Sequence, residues 1–128
     1  MRYLGIDFGG KRVGLSISDP EGEFAFPLSV FENTETLVGD IVEVCKSNGI
    51  GAIVVGDSKD FKQKENQIMK EIKPFAEKLK KATGLEIYMH PEFLTSMEAE
   101  RLQGHNDMHD ASASAIILKS FLDTQKNK

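Results

Sequence analysis

The chain opens with a short apolar run, Tyr3-Leu4-Gly5-Ile6, which meets a carboxylate at Asp7 and a glycine pair at Gly9-Gly10. From Val13 the apolar residues Val13, Leu15 and Ile17 alternate with Gly14, Ser16 and Ser18, the period of a strand. Two strands around Gly9-Gly10-Lys11 make a hairpin, and the turn residues Asp19-Pro20-Glu21-Gly22 lead into a third strand near Phe24–Val30. Leu37, Ile41, Val44 and Cys45 recur at helical spacing and stop at Asn48-Gly49, although Gly39 weakens the first turn. Ile50 to Val55 is a continuous apolar run, as expected of a central strand covered on both faces. Ile68, Ile72, Phe75, Leu79 and Ala82 predict a second helix that Pro74 must kink or divide and that Gly84 ends. Leu85–Met89 reads as a fifth strand, Thr95–Gln103 as a short helix, and Ala111–Leu122 as a last helix with apolar Ala111, Ala115, Leu118 and Leu122.

An antiparallel hairpin and meander followed by alternating strands and helices implies an α/β fold, a mixed sheet with helices packed on its faces. At 128 residues and 14.2 kDa the chain suits one domain, read as residues 1–124, with a frayed lysine-bearing tail at 125–128. A content of 40% apolar and 28% charged residues excludes collagen-like, disordered and disulfide-scaffold classes. No apolar run approaches the ~18 residues that span a bilayer, and Asp7 comes too early for a secretory signal, so no membrane association and a cytoplasmic location are expected. Cys45 has no cysteine companion for a disulfide or a metal cluster and is read as a small buried apolar residue.

The net charge of −4 does not announce a nucleic-acid binder. The lysines are uneven, however. Lys59, Lys62, Lys64, Lys70, Lys73, Lys78, Lys80 and Lys81 crowd one segment, where they form either a local basic surface or a solvated helix face.

Gly5 to Lys11 satisfies all but the last position of a phosphate-binding loop, yet Arg12 replaces the magnesium-binding hydroxyl and the residues that follow alternate as a strand. The loop therefore opens no helix whose amides would face phosphates. Asp7 remains unexplained by this route. It is either satisfied by neighbouring amides, Lys11 or Arg12, or it is a ligand for a hard divalent ion. Glu92, placed three residues beyond the fifth strand, and Asp110, at the start of the last helix, occupy comparable positions. Each alone has a bland reading, yet two-metal phosphodiester cleavage needs such a set of carboxylates. His105 and His109 stand four apart but form too short a ligand set for zinc, and Asp107 is a helix N-cap or a fourth carboxylate.

The segments Gly5-Ile-Asp-Phe-Gly-Gly-Lys-Arg-Val-Gly14, Ile53-Val-Val-Gly56, Leu94-Thr-Ser-Met-Glu-Ala99 and Asp110-Ala-Ser-Ala-Ser-Ala-Ile-Ile-Leu118 together resemble the YqgF/RuvX-like family of the ribonuclease H-like superfamily, nearly end to end. The resemblance implies a five-stranded mixed sheet with its first three strands antiparallel, in agreement with the element order above. It also implies a nuclease, linked to maturation of the 5′ end of pre-16S ribosomal RNA and, by kinship with junction resolvases, to branched DNA. Asp7, Glu92 and Asp110 fall on the family's proposed acidic triad, which implies ligands for two Mg2+ or Mn2+ ions and water as nucleophile. Lys11 and Arg12, in the hairpin position, would meet substrate phosphate, and Thr95 and Ser96 would cap the following helix or touch the substrate backbone. Where the family usually reads Asp-Glu-Arg, this chain has Pro91-Glu92-Phe93, and after Gly56 it has Asp57-Ser58-Lys59-Asp60-Phe61 in place of a proline-containing, glycine-bearing loop.

The expectation is thus a metal-dependent endonuclease acting on structured RNA. Its rivals are resolution of Holliday junctions, which favours a homodimer over a monomer because two symmetric cuts need two sites, and a binding module without turnover. A sugar-kinase-like or actin-like ATPase would need a second domain that this length does not supply.

Overall fold

The computed structural model describes residues 1–9, 11–58, 67–92 and 109–126, with side chains described at 1–9, 11–56, 72–90 and 111–125. The elements are β1 (Arg2–Phe8), β2 (Arg12–Ser18), β3 (Ala25–Glu32), α1 (Leu37–Asn48), β4 (Ile50–Ser58), α2 (Gln67–Thr83), β5 (Glu86–Glu92) and α3 (His109–Lys126). The five strands form one mixed sheet in the order β3-β2-β1-β4-β5. β1, β2 and β3 pair antiparallel, whereas β4 and β5 run parallel to β1. A mixed sheet with its first three strands antiparallel is what the order of elements predicts; the strand order is added by the structure. β4 lies in the middle of the parallel half, and Ile53, Val54 and Val55 are fully buried, as its unbroken apolar run requires.

Strand alternation divides the core between two faces. Leu4, Ile6 and Phe8 of β1, Val13 and Leu15 of β2, and Ile53 and Val55 of β4 pack with Leu37 and Ile41 of α1 and Ile72, Phe75 and Leu79 of α2. On the opposite face Val54 packs with Leu118, Phe121 and Leu122 of α3, with Tyr3 and Ala25 at the margin. α1 ends where Gly49 takes the left-handed conformation (φ 63°), and Gly84 follows α2 likewise (φ 70°), so both glycine stops act as helix terminators.

α2 continues through Pro74 as one helix, so of the two expected outcomes there, a kink or a division, division does not occur. Three elements depart from the sequence expectation. β3 begins and ends later than the Phe24–Val30 reading. β5 extends to Glu92, so Glu92 is the last residue of a strand and does not lie beyond one. Pro91 suggests a strand end in the sequence, but β5 is an edge strand, where proline costs the sheet little. Pro27 of β3 occupies the other edge for the same reason. α3 also reaches Lys126, into the segment read as a tail, and the helix expected at Thr95–Gln103 lies outside the described residues.

Cys45 faces the core between α1 and β4 and is 6% exposed. Burial pushes its thiol up from 9.0 to about 11. The unfolded chain therefore ionises first as pH rises. The contribution of this residue is full below the unfolded value and is lost as pH climbs through the folded one. Urea unfolding midpoints should fall between about pH 9 and 11 in the native protein, with a smaller fall in Cys45→Ala.

Candidate active site

Asp7 is the half-buried sixth residue of β1, on the face that α3 covers, because its neighbours Ile6 and Phe8 turn to the other side. Its partner across β2 is Gly14. On the β4 side Ile6 pairs with Val55, and the next residue of β4, Gly56, pairs with His90 of β5. Asp7 and His90 are thus nearly level, with one strand between them. Glu92 pairs with Ser58 two positions farther along and shares strand parity with Tyr88 and His90. By sheet geometry the Asp7 and Glu92 backbones are offset by about 10 Å across the strands and about 7 Å along them.

α3 approaches this end of the sheet along a seam of small residues. The run Ala111-Ser-Ala-Ser-Ala115 is buried throughout, and the Ser16 and Ser114 hydroxyls share a hydrogen bond of 2.9 Å beneath the helix. A Cβ built on Gly5 would stand 2.9 Å from Leu118 Cβ, and one on Gly56 would stand 2.6 Å from Ile117 Cδ1. At Gly5 only glycine leaves room for the helix, since Leu118 Cβ moves only with its backbone, whereas at Gly56 the contact is the tip of the Ile117 side chain. Ser114 and Leu118 lie over Gly5, while Phe121 meets Tyr3 edge-on at 5.8 Å, so α3 runs antiparallel to β1. One helical turn from Ser114 back to Asp110 covers about 6 Å, and two strand residues from Gly5 to Asp7 cover about 7 Å. The N-terminal turn of α3, which begins His109-Asp110, therefore comes over the end of β1 that carries Asp7.

The sequence-derived residues thus fall at one end of the sheet: Asp7 on β1, Glu92 at the last position of β5 and Asp110 in the first turn of α3. Lys11 lies exposed in the β1–β2 turn, and Arg12 is the exposed first residue of β2, paired across the sheet with Glu32. Asn33 fastens this turn: its Nδ2 donates to the Gly9 carbonyl at 2.8 Å, and its backbone N–H donates to the Lys11 carbonyl at 2.9 Å. Thr95, Ser96, His105 and Asp107 lie outside the described residues.

Sequence reasoning missed His90. Its Nε2 shares a 3.0 Å hydrogen bond with Ser120 Oγ of α3, and its ring meets Phe121 edge-on at 5.8 Å. The available signal is its place two residues before Glu92, but the apolar run of the fifth strand ends at Met89 and so hides it.

Among the described residues, the acidic groups whose ligand atoms lie within 4.8 Å of one another are Asp19, Glu21 and Glu23. They occupy the β2–β3 turn, at the end of the sheet opposite Asp7. Asp19 Oδ1 accepts backbone N–H bonds from Phe24 (2.9 Å) and Glu23 (2.7 Å). The Phe24 bond first, helped by that from Glu23, holds this carboxyl below its ordinary range against the opposing effect of burial. Its hydrogen bonds account for this acid as a turn former, and no metal is identified with the cluster.

The chain matches the RuvX family, described as Holliday junction resolvase, over residues 1–124. It belongs to that family. Among similar family relatives, a protein of Anaplasma marginale (strain St. Maries) named "Putative pre-16S rRNA nuclease" is 32% identical over 99% of this chain and 87% of its own length. One of Maridesulfovibrio salexigens with the same name is 34% identical, covering 95% of this chain and 98% of its own. The fold is ribonuclease H-like and is shared with Thermus thermophilus RuvC in complex with a Holliday junction substrate, at a TM-score of 0.63 with 16% identity over 98% of this chain and 96% of that one. The fowlpox virus Holliday junction resolvase gives 0.60 with 10% identity, over 98% and 99%. Both likenesses concern the fold of this RuvX family member. No helix among its described residues is long and apolar enough to cross a membrane.

Proposed function

We propose that this RuvX family member is a metal-dependent endonuclease that hydrolyses phosphodiester bonds in structured nucleic acid, with the 5′ end of pre-16S ribosomal RNA as its substrate in the cytoplasm. The observation that carries the reading is the gathering of Asp7, Glu92 and the first turn of α3 at one end of the sheet in a chain that matches the family over residues 1–124. The pre-16S assignment rests on the names of relatives that this chain covers almost completely.

Hard carboxylate oxygens on separate rigid elements suit Mg2+ or Mn2+, which take few protein ligands and keep several waters. Asp7, Glu92 and Asp110 would hold the ions, which supply an activated water and stabilisation of the leaving oxygen. The chain's own groups do the rest. Asp7 is anchored in a strand whose neighbouring residues are buried, so its carboxylate has a fixed origin. Lys11 and Arg12 project from the hairpin turn that Asn33 fastens and offer cations to substrate phosphates, Arg12 by its planar fork.

The deciding experiment offers matched structured RNA and four-way DNA junctions to the full chain with Mg2+, Mn2+ or chelator. Cleavage of RNA that requires metal is the expected result. Cutting confined to the junction would move the assignment to resolution of branched DNA, the activity for which the family is described. Binding of either substrate with no cleavage under any ion would overturn the enzyme reading in favour of a binding module.

A further inference from the structure

The acidic site proposed above draws on elements that do not share a backbone ladder. Glu92 ends β5, an edge strand, and Asp110 opens α3, which crosses the other strands as well. Tyr88 and His90 of β5 join the two elements. The Tyr88 ring lies tilted against Phe121 at 5.2 Å, a contact that tolerates sliding. His90 adds a directional contact, the 3.0 Å bond between its Nε2 and Ser120 Oγ, with its ring seated edge-on against Phe121.

We infer that His90 is a positioning residue for the acidic site: its hydrogen bond to Ser120 sets how far along β5 helix α3 sits, and so fixes the separation of Glu92 from Asp110. The inference rests on the proposed site. Ser120 and Asp110 lie on one continuous helix about 15 Å apart along its axis, so a shift at the first is carried to the second as by a rod. On β5, His90 stands two residues from Glu92, and its strand neighbours Gly56, Asp57 and Ser58 hold that segment in ladder register. Ions about 4 Å apart need ligands placed to within roughly 0.5 Å, a tolerance that stacked rings alone do not enforce.

The test uses the full chain and follows Mn2+ binding by calorimetry beside thermal melting. His90→Phe keeps a ring against Phe121 and removes the bond. Ser120→Ala removes the partner while favouring the helix. Each is expected to weaken Mn2+ binding by about tenfold. The double variant should be no weaker than either single, and Ser120→Thr should restore binding. Unchanged Mn2+ affinity in both single variants, or losses that simply add in the double, would overturn the inference. The native protein and Asp7→Asn separate this failure from a failure of the site itself. If the native protein binds Mn2+ and Asp7→Asn does not, the acidic site stands whatever His90 does. If the native protein binds none, or Asp7→Asn binds equally well, the site falls and the positioning role falls with it.

Discussion

Asp7→Asn should reduce metal-dependent cleavage by roughly a thousand-fold, about 4 kcal/mol of lost transition-state stabilisation, while leaving the fold intact. Asparagine matches aspartate in shape, so β1 keeps its pairing with β2 and β4 and the buried residues on either side stay in place. What disappears is one negative charge and one hard anionic ligand. Single-turnover cleavage measured beside a melting curve in chelator would show the split: activity gone, melting temperature unchanged or slightly raised, because an acidic site holds like charges together without its ions. Cleavage at the native rate would remove Asp7 from the site. A large fall in melting temperature would instead make its role structural.

Gly5→Val is expected to act in the opposite sense, on the fold. The added Cβ would stand 2.9 Å from Leu118 Cβ and 3.3 Å from the Ser114 carbonyl oxygen, and closer still to Ser16 Oγ. The serine hydroxyl can rotate away at the cost of its bond to Ser114, but the helix backbone cannot yield without lifting α3 off the sheet. A loss of about 3 kcal/mol follows, roughly 10 °C in melting temperature. Gly39→Ala is the control, since nothing lies within 4 Å of its built Cβ and it sits exposed in α1. There alanine should stabilise by about 0.5 to 1 kcal/mol. If the two substitutions shift melting equally, close packing at Gly5 is not what holds α3 down.

Much of this architecture is legible in the chain itself. Val13, Leu15 and Ile17 declare a strand, though not that α3 also buries its serine face, the run to Val55 declares a central one, and Gly49 and Gly84 mark helix ends, because each signal reports local burial or a local backbone angle. Asp7 is legible for a related reason: a carboxylate inside an apolar strand needs a partner. Glu92 is harder to place. Pro91 argues for a strand end, and the counter-argument, that β5 lies at the edge, depends on strand order in space. His90 is harder again, since its significance comes from Ser120, thirty positions away and on another element. The run of small residues from Ala111 to Ser114 looks ordinary as sequence and acquires meaning only once Ser114 lies against Gly5.

The Ser16–Ser114 bond joins positions 98 residues apart. A ribosome extending the chain releases the β1–β2 hairpin on the order of ten seconds before it releases α3. Throughout that interval Asp7 is outside the exit tunnel, yet the helix that brings Asp110 to it does not exist. An unfinished chain can therefore carry Asp7, the first residue of the proposed site, before the rest of that site is assembled. Under the activity on ribosomal RNA proposed above, this order of events matters, because the nascent chain grows beside ribosomal RNA. The proposed site would therefore be assembled only once the α3 segment has left the tunnel.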